Sequence, residues 1–402
     1  MDHEKKIPGF DGLGIAPEFL KILEHIKFSV PTPIQHQAIP AAIEGKDLMG
    51  IAQTGTGKTL AFSLPLLQRL YKNGGSGLII VPTRELAIQI DETLQLIGRS
   101  LGLLTAVLIG GEPLSRQKGM LRRRPNVIVA TPGRLLDHVE QGTVRLDKIK
   151  ILILDEADRM FDLGFAPQIA KIFALVPKER QTMLFSATMA SEIVKLARSH
   201  MQFPIRIEIA PSGTAAEQVE QEIFLVRKEQ KVELLHKLLQ QYTGTVLVFS
   251  RTKHGARKIC QAVRGMGHNA AEIHSNRSLG QRREAMAGFK SAKYRIMVAT
   301  DIAARGIDVN GIELVINFDL PNNSEDYVHR IGRTGRAGKD GKAISFAMPD
   351  QKRDVADIER LIRKEIPVTS HTGESFLTGK MPTRSLGRRS FSRRTHRPRR
   401  TM

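Results

Sequence analysis

The segment from Ala52 to Thr59, Ala-Gln-Thr-Gly-Thr-Gly-Lys-Thr, has the residue types and spacing of a phosphate-binding loop. It follows a predicted strand and begins a predicted helix, which is the context that such a loop requires. Its glycines let backbone N–H groups turn toward phosphate oxygens, Lys58 can reach the β- and γ-phosphates, and the Thr59 hydroxyl can ligate Mg²⁺. A glycine- and threonine-rich turn without a ligand is the alternative, and Ala52 stands where the pattern has its first glycine. The residues predicted to bind the nucleotide here are Gln53, Thr54, Gly55, Thr56, Gly57, Lys58 and Thr59.

An apolar run at residues 151–154 leads directly into the acidic segment Asp155-Glu-Ala-Asp158. A strand that ends there places Asp155 at the carboxyl edge of its sheet, where ligands bind in open α/β folds. Asp155 is therefore predicted to hold Mg²⁺ through the water shell of the ion, and Glu156 to orient or deprotonate an attacking water. A solvated acidic turn is the alternative, which the preceding apolar strand disfavours.

The elements that must position these motifs follow from an alternation of short apolar runs with amphipathic stretches. Many runs are rich in Ile, Val and Leu without alternation, as expected for parallel strands covered on both faces. Strand–helix alternation indicates an α/β fold with parallel sheets. Residues 204–218 have the composition of a linker between two domains. The predicted strands are 47–52, 77–81, 105–110, 126–130, 150–155 and 181–186 before the linker, and 245–250, 269–274, 295–300, 314–319 and 342–348 after it.

The composition indicates a polyanionic partner. The 402 residues include 61 Lys and Arg against 41 Asp and Glu, a net charge of +20. From Lys380 to Met402 there are nine basic residues and no acidic ones, and this segment is predicted to be disordered. The single cysteine, Cys260, excludes an internal disulfide and a Cys-rich zinc site. Because no apolar run is long enough for a membrane span and the N-terminus has no apolar signal-peptide core, we expect a cytoplasmic protein without a membrane partner.

Nine segments in order give the chain its resemblance to a known family. They resemble the motifs of DEAD-box ATP-dependent RNA helicases, and the sequence between them is most similar to the bacterial RhlE-type branch. The resemblance covers about residues 8–367, and nine segments in one order make coincidence negligible. The segments are PTPIQ at 31–35, AQTGTGKT at 52–59, PTREL at 82–86, GG at 110–111, TPGR at 131–134, DEAD at 155–158, SAT at 186–188, ATDIAARGID at 299–308 and HRIGRTGR at 329–336.

The resemblance implies two tandem RecA-like domains, each a mainly parallel sheet flanked by helices, that close together on ATP and single-stranded RNA. The implied activity is hydrolysis of ATP to ADP and phosphate with local unwinding of short RNA duplexes, and ribosomal or RNA-degradation complexes are candidate partners. A nucleotide-dependent RNA clamp or annealer and a non-enzymatic RNA-binding scaffold are the alternatives. We expect an adenine-recognising segment at 1–38, an ATP-binding domain at 39–209, a second helicase domain at 218–367 and a disordered Arg-rich tail at 368–402.

The resemblance also implies how the nucleotide is held. Phe10 is expected to stack on adenine, the Gln35 amide to pair with adenine N6 and N7, and Asp308 to contact the ribose. Arg333 and Arg336, in the second domain, resemble arginine fingers that reach the γ-phosphate across a cleft, so hydrolysis would require domain closure. A core phenylalanine, a surface glutamine and a basic RNA-binding loop are the corresponding alternatives.

Two further groups of residues are implied by the resemblance. The family has a glutamine that helps to hold the histidine equivalent to His329, one of the residues expected to couple the domains. This chain has Leu279 in place of that glutamine, with Gln281 two residues away. We therefore expect looser coupling of RNA binding to ATP. RNA phosphates and 2′-hydroxyls are expected to contact, without sequence readout, Arg84, Gly111, Thr131, Arg134 and Thr300. Coupling between the domains is expected from Asp158, Ser186, Thr188, His329 and Arg330.

Overall fold

The computed structural model of the chain describes residues 9–53, 55–189, 191–209, 219–304, 309, 311–335 and 341–370. The predicted site residues Thr54, Asp308 and Arg336, and the predicted tail from residue 371 onward, lie outside these ranges. Within them, no helix has both the length and the apolar character needed to cross a bilayer.

The first domain contains a sheet of seven strands, all paired in parallel. Its strands are β1 (Leu48–Ile51), β2 (Ser76–Ile80), β3 (Thr105–Leu108), β4 (Val127–Ala130), β5 (Ile149–Leu154), β6 (Gln181–Ser186) and β7 (Ile205–Glu208). Their order across the sheet is β3-β4-β2-β5-β6-β1-β7. Its helices are α1 (Pro17–His25), α2 (Pro33–Ile43), α3 (Lys58–Asn73), α4 (Arg84–Gly98), α5 (Leu114–Arg122), α6 (Pro132–Glu140), α7 (Ala157–Asp162), α8 (Ala166–Leu175) and α9 (Ser191–His200).

The second domain repeats this plan with seven further parallel strands. These are β8 (Val219–Leu225), β9 (Val246–Phe249), β10 (Ala270–Ile273), β11 (Ile296–Ala299), β12 (Leu314–Asn317), β13 (Gly341–Ala347) and β14 (Val368–Ser370). Their order is β10-β11-β9-β12-β13-β8-β14. The helices are α10 (Lys231–Gln241), α11 (Lys253–Gly265), α12 (Leu279–Lys290), α13 (Asp301–Ala304), α14 (Ser324–Ile331) and α15 (Lys352–Ile362).

All predicted strands are confirmed, and three strands were missed. Strand β7 was missed because residues 204–218 have the composition of a linker; it is a short edge strand with one buried residue, Ile207, and it lies within the first domain as predicted at 39–209. Strand β8 was missed because Glu220, Gln221 and Glu222 interrupt its apolar pattern, although Val219, Gln221 and Ile223 are buried. The predicted tail begins too early, because β14 pairs with β8 and extends the ordered domain to Ser370.

Apolar clusters cover both faces of each sheet, which explains the apolar strand sequences. In the first domain, the carboxyl ends of β1, β5 and β6 are neighbours because β6 pairs with both other strands. The carboxyl ends of β2, β3 and β4 meet beside them, because β4 pairs with both β2 and β3. The sheet therefore brings the loops after all six strands to one edge.

Candidate active site and nucleic-acid interface

The loop at 52–59 turns sharply between β1 and α3. Gly55 and Gly57 have φ angles of +87° and +91°, which side-chain-bearing residues rarely adopt. A Cβ on Gly57 would lie 2.4 Å from Gln35 Nε2, so close packing also requires glycine there. The buried Lys58 ammonium donates to the Ala52 carbonyl at 2.6 Å, and the Thr56 hydroxyl donates to the Gln53 carbonyl at 2.7 Å. Ala52 thus participates through its backbone, which a glycine would supply equally.

Gln35 connects the start of α2 to this loop. Its Nε2 donates to the Gly57 carbonyl at 3.0 Å, and its Oε1 accepts from the Thr32 backbone N–H at 2.9 Å in a capping box. An amide has a second N–H and a second oxygen lone pair, so this arrangement leaves capacity for one donor–acceptor pair with a base. Gln35 is buried and is not the surface glutamine of the alternative interpretation.

Phe10 lies in the first-domain apolar core and is 4% exposed. The core-phenylalanine interpretation therefore describes its position in this structure. Stacking on adenine stays a prediction, and it would require neighbouring side chains to move away from the ring.

Asp155 lies where β5 ends and is 3% exposed. Its Oδ1 accepts from the Glu156 backbone N–H at 3.0 Å. Burial raises the pKa of Asp155 to about 7, although the nearby Lys58 charge acts in the opposite direction. The charged carboxylate is therefore poorly stabilised by the protein alone, and a bound cation would favour it.

Glu156 has an unusual backbone for a residue with a side chain, at φ +53° and ψ +50°. Its carboxylate forms a buried ion pair with Arg159, with Oε2 3.2 Å from Nη1. Left-handed conformations at residues other than glycine cost roughly 1–3 kcal/mol and concentrate at functional sites. The role of Arg159 was not predicted from the sequence. Its position three residues after Glu156 could have indicated the pair, because side chains at i and i+3 are neighbours on a helix.

Asp158 joins α7 to the segment after β6. Its Oδ2 accepts from the backbone N–H groups of Ala187 and Thr188, both at 3.0 Å, and from the Thr188 hydroxyl at 3.3 Å. The Asp158 backbone N–H donates to the Ser186 hydroxyl oxygen at 3.3 Å. The structure thus brings three predicted coupling residues together within the first domain.

Arg330 does not make the interdomain connection that was predicted for it. Its guanidinium pairs with Asp301, and Nη1 donates to Asn317 Oδ1 at 3.1 Å and to the Asp319 carbonyl at 2.6 Å. All of these partners belong to the second domain, and Arg330 is almost completely buried. It therefore ties α14 to the ends of β12 and α13 within its own domain.

A small cavity lies between the two domains. Arg333 is buried there, and its Nε donates to the His329 carbonyl at 3.2 Å. The first domain contributes Arg159, which also holds Glu156. The second domain contributes Phe249, Asp301, Asp326, His329, Arg330 and Arg333.

The residues predicted to contact RNA lie at the loops after β2, β3, β4 and β11. Arg84 lies against the Gly110–Gly111 backbone, because a Cβ on Gly111 would come within 2.4 Å of its Nη1. Arg134 donates to the Glu112 carbonyl at 2.9 Å, and Thr131 is the residue before α6. Thr300 follows β11 in the second domain, where its backbone N–H donates to the Ile273 carbonyl. The structure therefore brings the four first-domain residues into one region.

Two known helicases are similar to this chain. The ATP-dependent rRNA helicase RRP3 of Debaryomyces hansenii is 40% identical over 368 residues, which are 90% of this chain and 77% of that protein. The ATP-dependent RNA helicase DbpA of Bacillus subtilis is 41% identical over 376 residues, which are 93% of this chain and 78% of that protein. Residues 32–196 match the family model of the DEAD/DEAH box helicase, and residues 230–338 match that of the helicase conserved C-terminal domain.

A solved structure shares the arrangement of both domains. S. cerevisiae Dbp5 bound to RNA and ADP BeF3 superposes with a TM-score of 0.81 at 30% identity, covering 90% of this chain and 95% of that one. A score of this size over nearly complete chains requires the two domains to have similar relative positions. The chain belongs to the DEAD/DEAH box helicase family, with two tandem RecA-like domains as predicted. It is an ATP-dependent RNA helicase, and the non-enzymatic scaffold alternative is wrong.

Proposed function

We propose that ATP binds between the domains and is hydrolysed only when both contribute. The loop at 52–59 would hold the phosphates, Gln35 and Phe10 the adenine, and Asp308 the ribose. Glu156 would take a proton from the water that attacks the γ-phosphorus as the bond to ADP breaks. Arg333 and Arg336 would stabilise the charge that develops on the transferred phosphoryl group. The observation that carries this proposal is the position of Arg333, buried in a cavity that also contains the Glu156 partner Arg159.

Mg²⁺ is implied by this family, and the residues present fit it. Thr59 would supply an oxygen ligand, which Mg²⁺ prefers, and Asp155 would hold the ion through its water shell, where the ion would neutralise phosphate charge. The raised pKa of Asp155 supports the assignment, because a buried carboxylate gains from a nearby cation. Within the described ranges, no three His, Cys, Asp or Glu side chains form a metal-binding group. The ion would therefore depend on phosphate oxygens and water for its other ligands.

RNA would bind across both domains through its backbone. Arg84, Gly111, Thr131 and Arg134 would contact one stretch of a single strand, and Thr300 would contact the continuation on the second domain. Arg, Thr and backbone N–H groups suit phosphates and 2′-hydroxyls, so binding would not depend on base sequence. Closure would bend one strand and open a short duplex locally, rather than moving along it.

We propose ribosomal RNA as the substrate class and the cytoplasm as the location of the protein. The support is the printed name of RRP3, an rRNA helicase that this chain resembles over most of its length. An RNA-degradation complex is the alternative partner. The more specific assignment to a RhlE-type branch stays a prediction, since the relatives above are RRP3 and DbpA.

Substitutions that separate binding from chemistry test the proposed site. Glu156→Gln should still bind ATP and RNA but lose about 10²–10⁴-fold in turnover, because it lacks the general base. Lys58→Ala should weaken ATP binding itself. ATP affinity by equilibrium titration and steady-state ATPase with saturating RNA measure both, with Glu140→Gln as an exposed control on α6. Turnover of Glu156→Gln within twofold of wild type would refute the assignment of the base.

A further inference from the structure

The first turn of α12, in the second domain, contacts the first domain at three points. Arg282 Nη2 lies 2.6 Å from Glu85 Oε2, and Arg283 Nη1 lies 2.9 Å from Glu112 Oε1. Leu279 is 6% exposed and belongs to an apolar cluster whose other buried members are all first-domain residues, between Phe10 and Ile207. This turn therefore docks on the first domain through one apolar and two charged contacts.

The acidic partners adjoin residues of the proposed RNA site. Glu85 follows Arg84 at the start of α4, and Glu112 follows Gly111 in the loop before α5. The Glu112 carbonyl also accepts from Arg134, another residue of that site, at 2.9 Å. The first turn of α12 thus reaches two of the three first-domain loops that would hold RNA, those after β2 and β3.

The charges at this contact favour docking in the presence of RNA. Glu85 and Glu112 are carboxylates next to residues that would hold a polyanion, and unpaired they would repel it. Burial raises the pKa of Glu85, and the Arg282 charge acts against that rise, so the structure already shows how an arginine offsets the penalty. Arg283 likewise places a positive charge beside Glu112, and Arg116 also pairs with that carboxylate at 3.3 Å. Reciprocal linkage then requires docking of α12 to raise RNA affinity, and RNA to favour docking.

Leu279 adds an apolar contact to this docking, and the looser coupling of RNA binding to ATP that is expected from the sequence stays a prediction. Its side chain is buried with the first-domain cluster, so docking removes apolar surface from water. Gln281 does not substitute for the missing glutamine, because its side chain closes a capping box on Ser278 and is exposed. An apolar residue here stabilises the docked arrangement without needing a hydrogen-bond partner.

We propose that Leu279 and Arg283 are positioning residues that couple docking of the second domain to RNA binding by the first. The inference rests on the proposed RNA contacts of Arg84 and Gly111. In this proposal the ion pair of Arg283 with Glu112 connects docking of α12 to the loop that contains Gly111.

A double-mutant cycle tests the charged contact. We expect Arg283→Ala to raise the RNA concentration for half-maximal ATPase by about threefold, the effect of a half-exposed ion pair, with kcat at saturating RNA unchanged. In a Glu112→Gln background the same substitution should have less than half of that effect, and Arg283→Lys should retain wild-type behaviour. Lys290→Ala, an exposed residue at the other end of α12, is the control. Equal effects of Arg283→Ala in both backgrounds would overturn the coupling.

Substitutions at Leu279 test the apolar contact separately. Leu279→Ala should raise the half-saturating RNA concentration, while Leu279→Met, of similar volume, should not. Melting temperatures of the isolated protein establish that both variants fold. If Leu279→Ala leaves the RNA dependence unchanged, Leu279 is not a positioning residue. Arg84→Ala distinguishes failure of the proposed RNA site from failure of this inference. If Arg84→Ala leaves RNA affinity unchanged, the proposed RNA site is wrong. If Arg84→Ala lowers RNA affinity but the double-mutant cycle shows no coupling between Arg283 and Glu112, only this inference is wrong.

Discussion

At the residue scale, Asp155 and Glu156 are adjacent buried carboxylates held in different ways. Glu156 has an arginine partner 3.2 Å away, at the expense of a left-handed backbone. At Asp155 burial dominates over the Lys58 charge and raises the pKa to about 7. Glu156 therefore has its cationic partner within the protein, whereas Asp155 would gain most from a bound cation.

The raised pKa of Asp155 predicts a pH-dependent stability. Its ordinary value is 3.8, so between about pH 4 and pH 7 the folded protein holds a proton that the unfolded chain has released. Stability is therefore lost as pH rises through this window, and the full penalty is present above pH 7. Asp155→Asn removes the titration and should raise the melting temperature more at pH 8 than at pH 5, without nucleotide or Mg²⁺.

Thermal denaturation at both pH values measures this difference. Asp350→Asn, at an exposed position, is the control and should show the same margin over wild type at either pH. A margin for Asp155→Asn that does not grow with pH would show that the carboxylate is charged without penalty in the folded protein.

At the scale of elements, the strands divide the carboxyl edge of the first sheet between two tasks. The loops after β1 and β5 carry proposed nucleotide residues, with the predicted coupling residues Ser186 and Thr188 beside them at the end of β6. The loops after β2, β3 and β4 carry the proposed RNA residues. A buried polar pair supports the RNA side. Gln117 Nε2 donates to the Ile109 carbonyl at 2.9 Å, and its Oε1 accepts from His138 Nε2 at 3.1 Å. These bonds link α5 and α6 to the glycine loop.

Removing this support should weaken RNA binding more than chemistry. Gln117→Ala leaves the Ile109 carbonyl and His138 without their buried partner, at about 1–3 kcal/mol for each unsatisfied group. We expect a lower melting temperature and a higher half-saturating RNA concentration, with kcat at saturating RNA within about twofold. Gln141→Ala, exposed at the end of α6, is the control. A lower melting temperature with unchanged RNA dependence would mean that the pair only stabilises the fold.

The sequence predicts elements better than it predicts partners. Strands β1 to β6 are apolar because both faces are covered, and that pattern is visible without coordinates. Edge strands β7 and β14 lack the pattern because solvent reaches them. The contacts of Arg283 with Glu112 and of Arg330 with Asp301 depend on which loops the sheets bring together, and nothing local in the chain specifies a distant carboxylate.

At the scale of the whole molecule, the domain arrangement matches that of a relative bound to RNA and a nucleotide analogue. The contacts of α12 and the cavity around Arg333 both belong to this arrangement. The proposed site shared between the domains would make hydrolysis conditional on closure, and RNA binding and ATP turnover would thereby become linked.

The basic C-terminal segment is expected to make RNA affinity depend more steeply on salt concentration, independently of the cavity between the domains. It carries nine basic residues and no acidic one from Lys380 to Met402. If it neutralises about five phosphates of single-stranded RNA, ending the chain at Ser370 should reduce the log–log salt slope of RNA affinity by about 3.5, at about 0.7 per phosphate. ATPase at saturating RNA should persist, because every proposed catalytic residue precedes the deletion. Equal slopes for the two chains would mean that the segment does not bind RNA.

Arg333 of the second domain is proposed to act on ATP held by the first domain. The most direct test of this role is steady-state ATPase at saturating RNA, together with ATP affinity, for Arg333→Ala. Arg353→Ala, exposed on α15, is the matched control. Because an arginine finger acts on the transition state, we predict a loss in kcat of about 10³-fold or more with ATP affinity within about twofold. An Arg333→Ala variant that keeps kcat within twofold of wild type would contradict a site completed by domain closure.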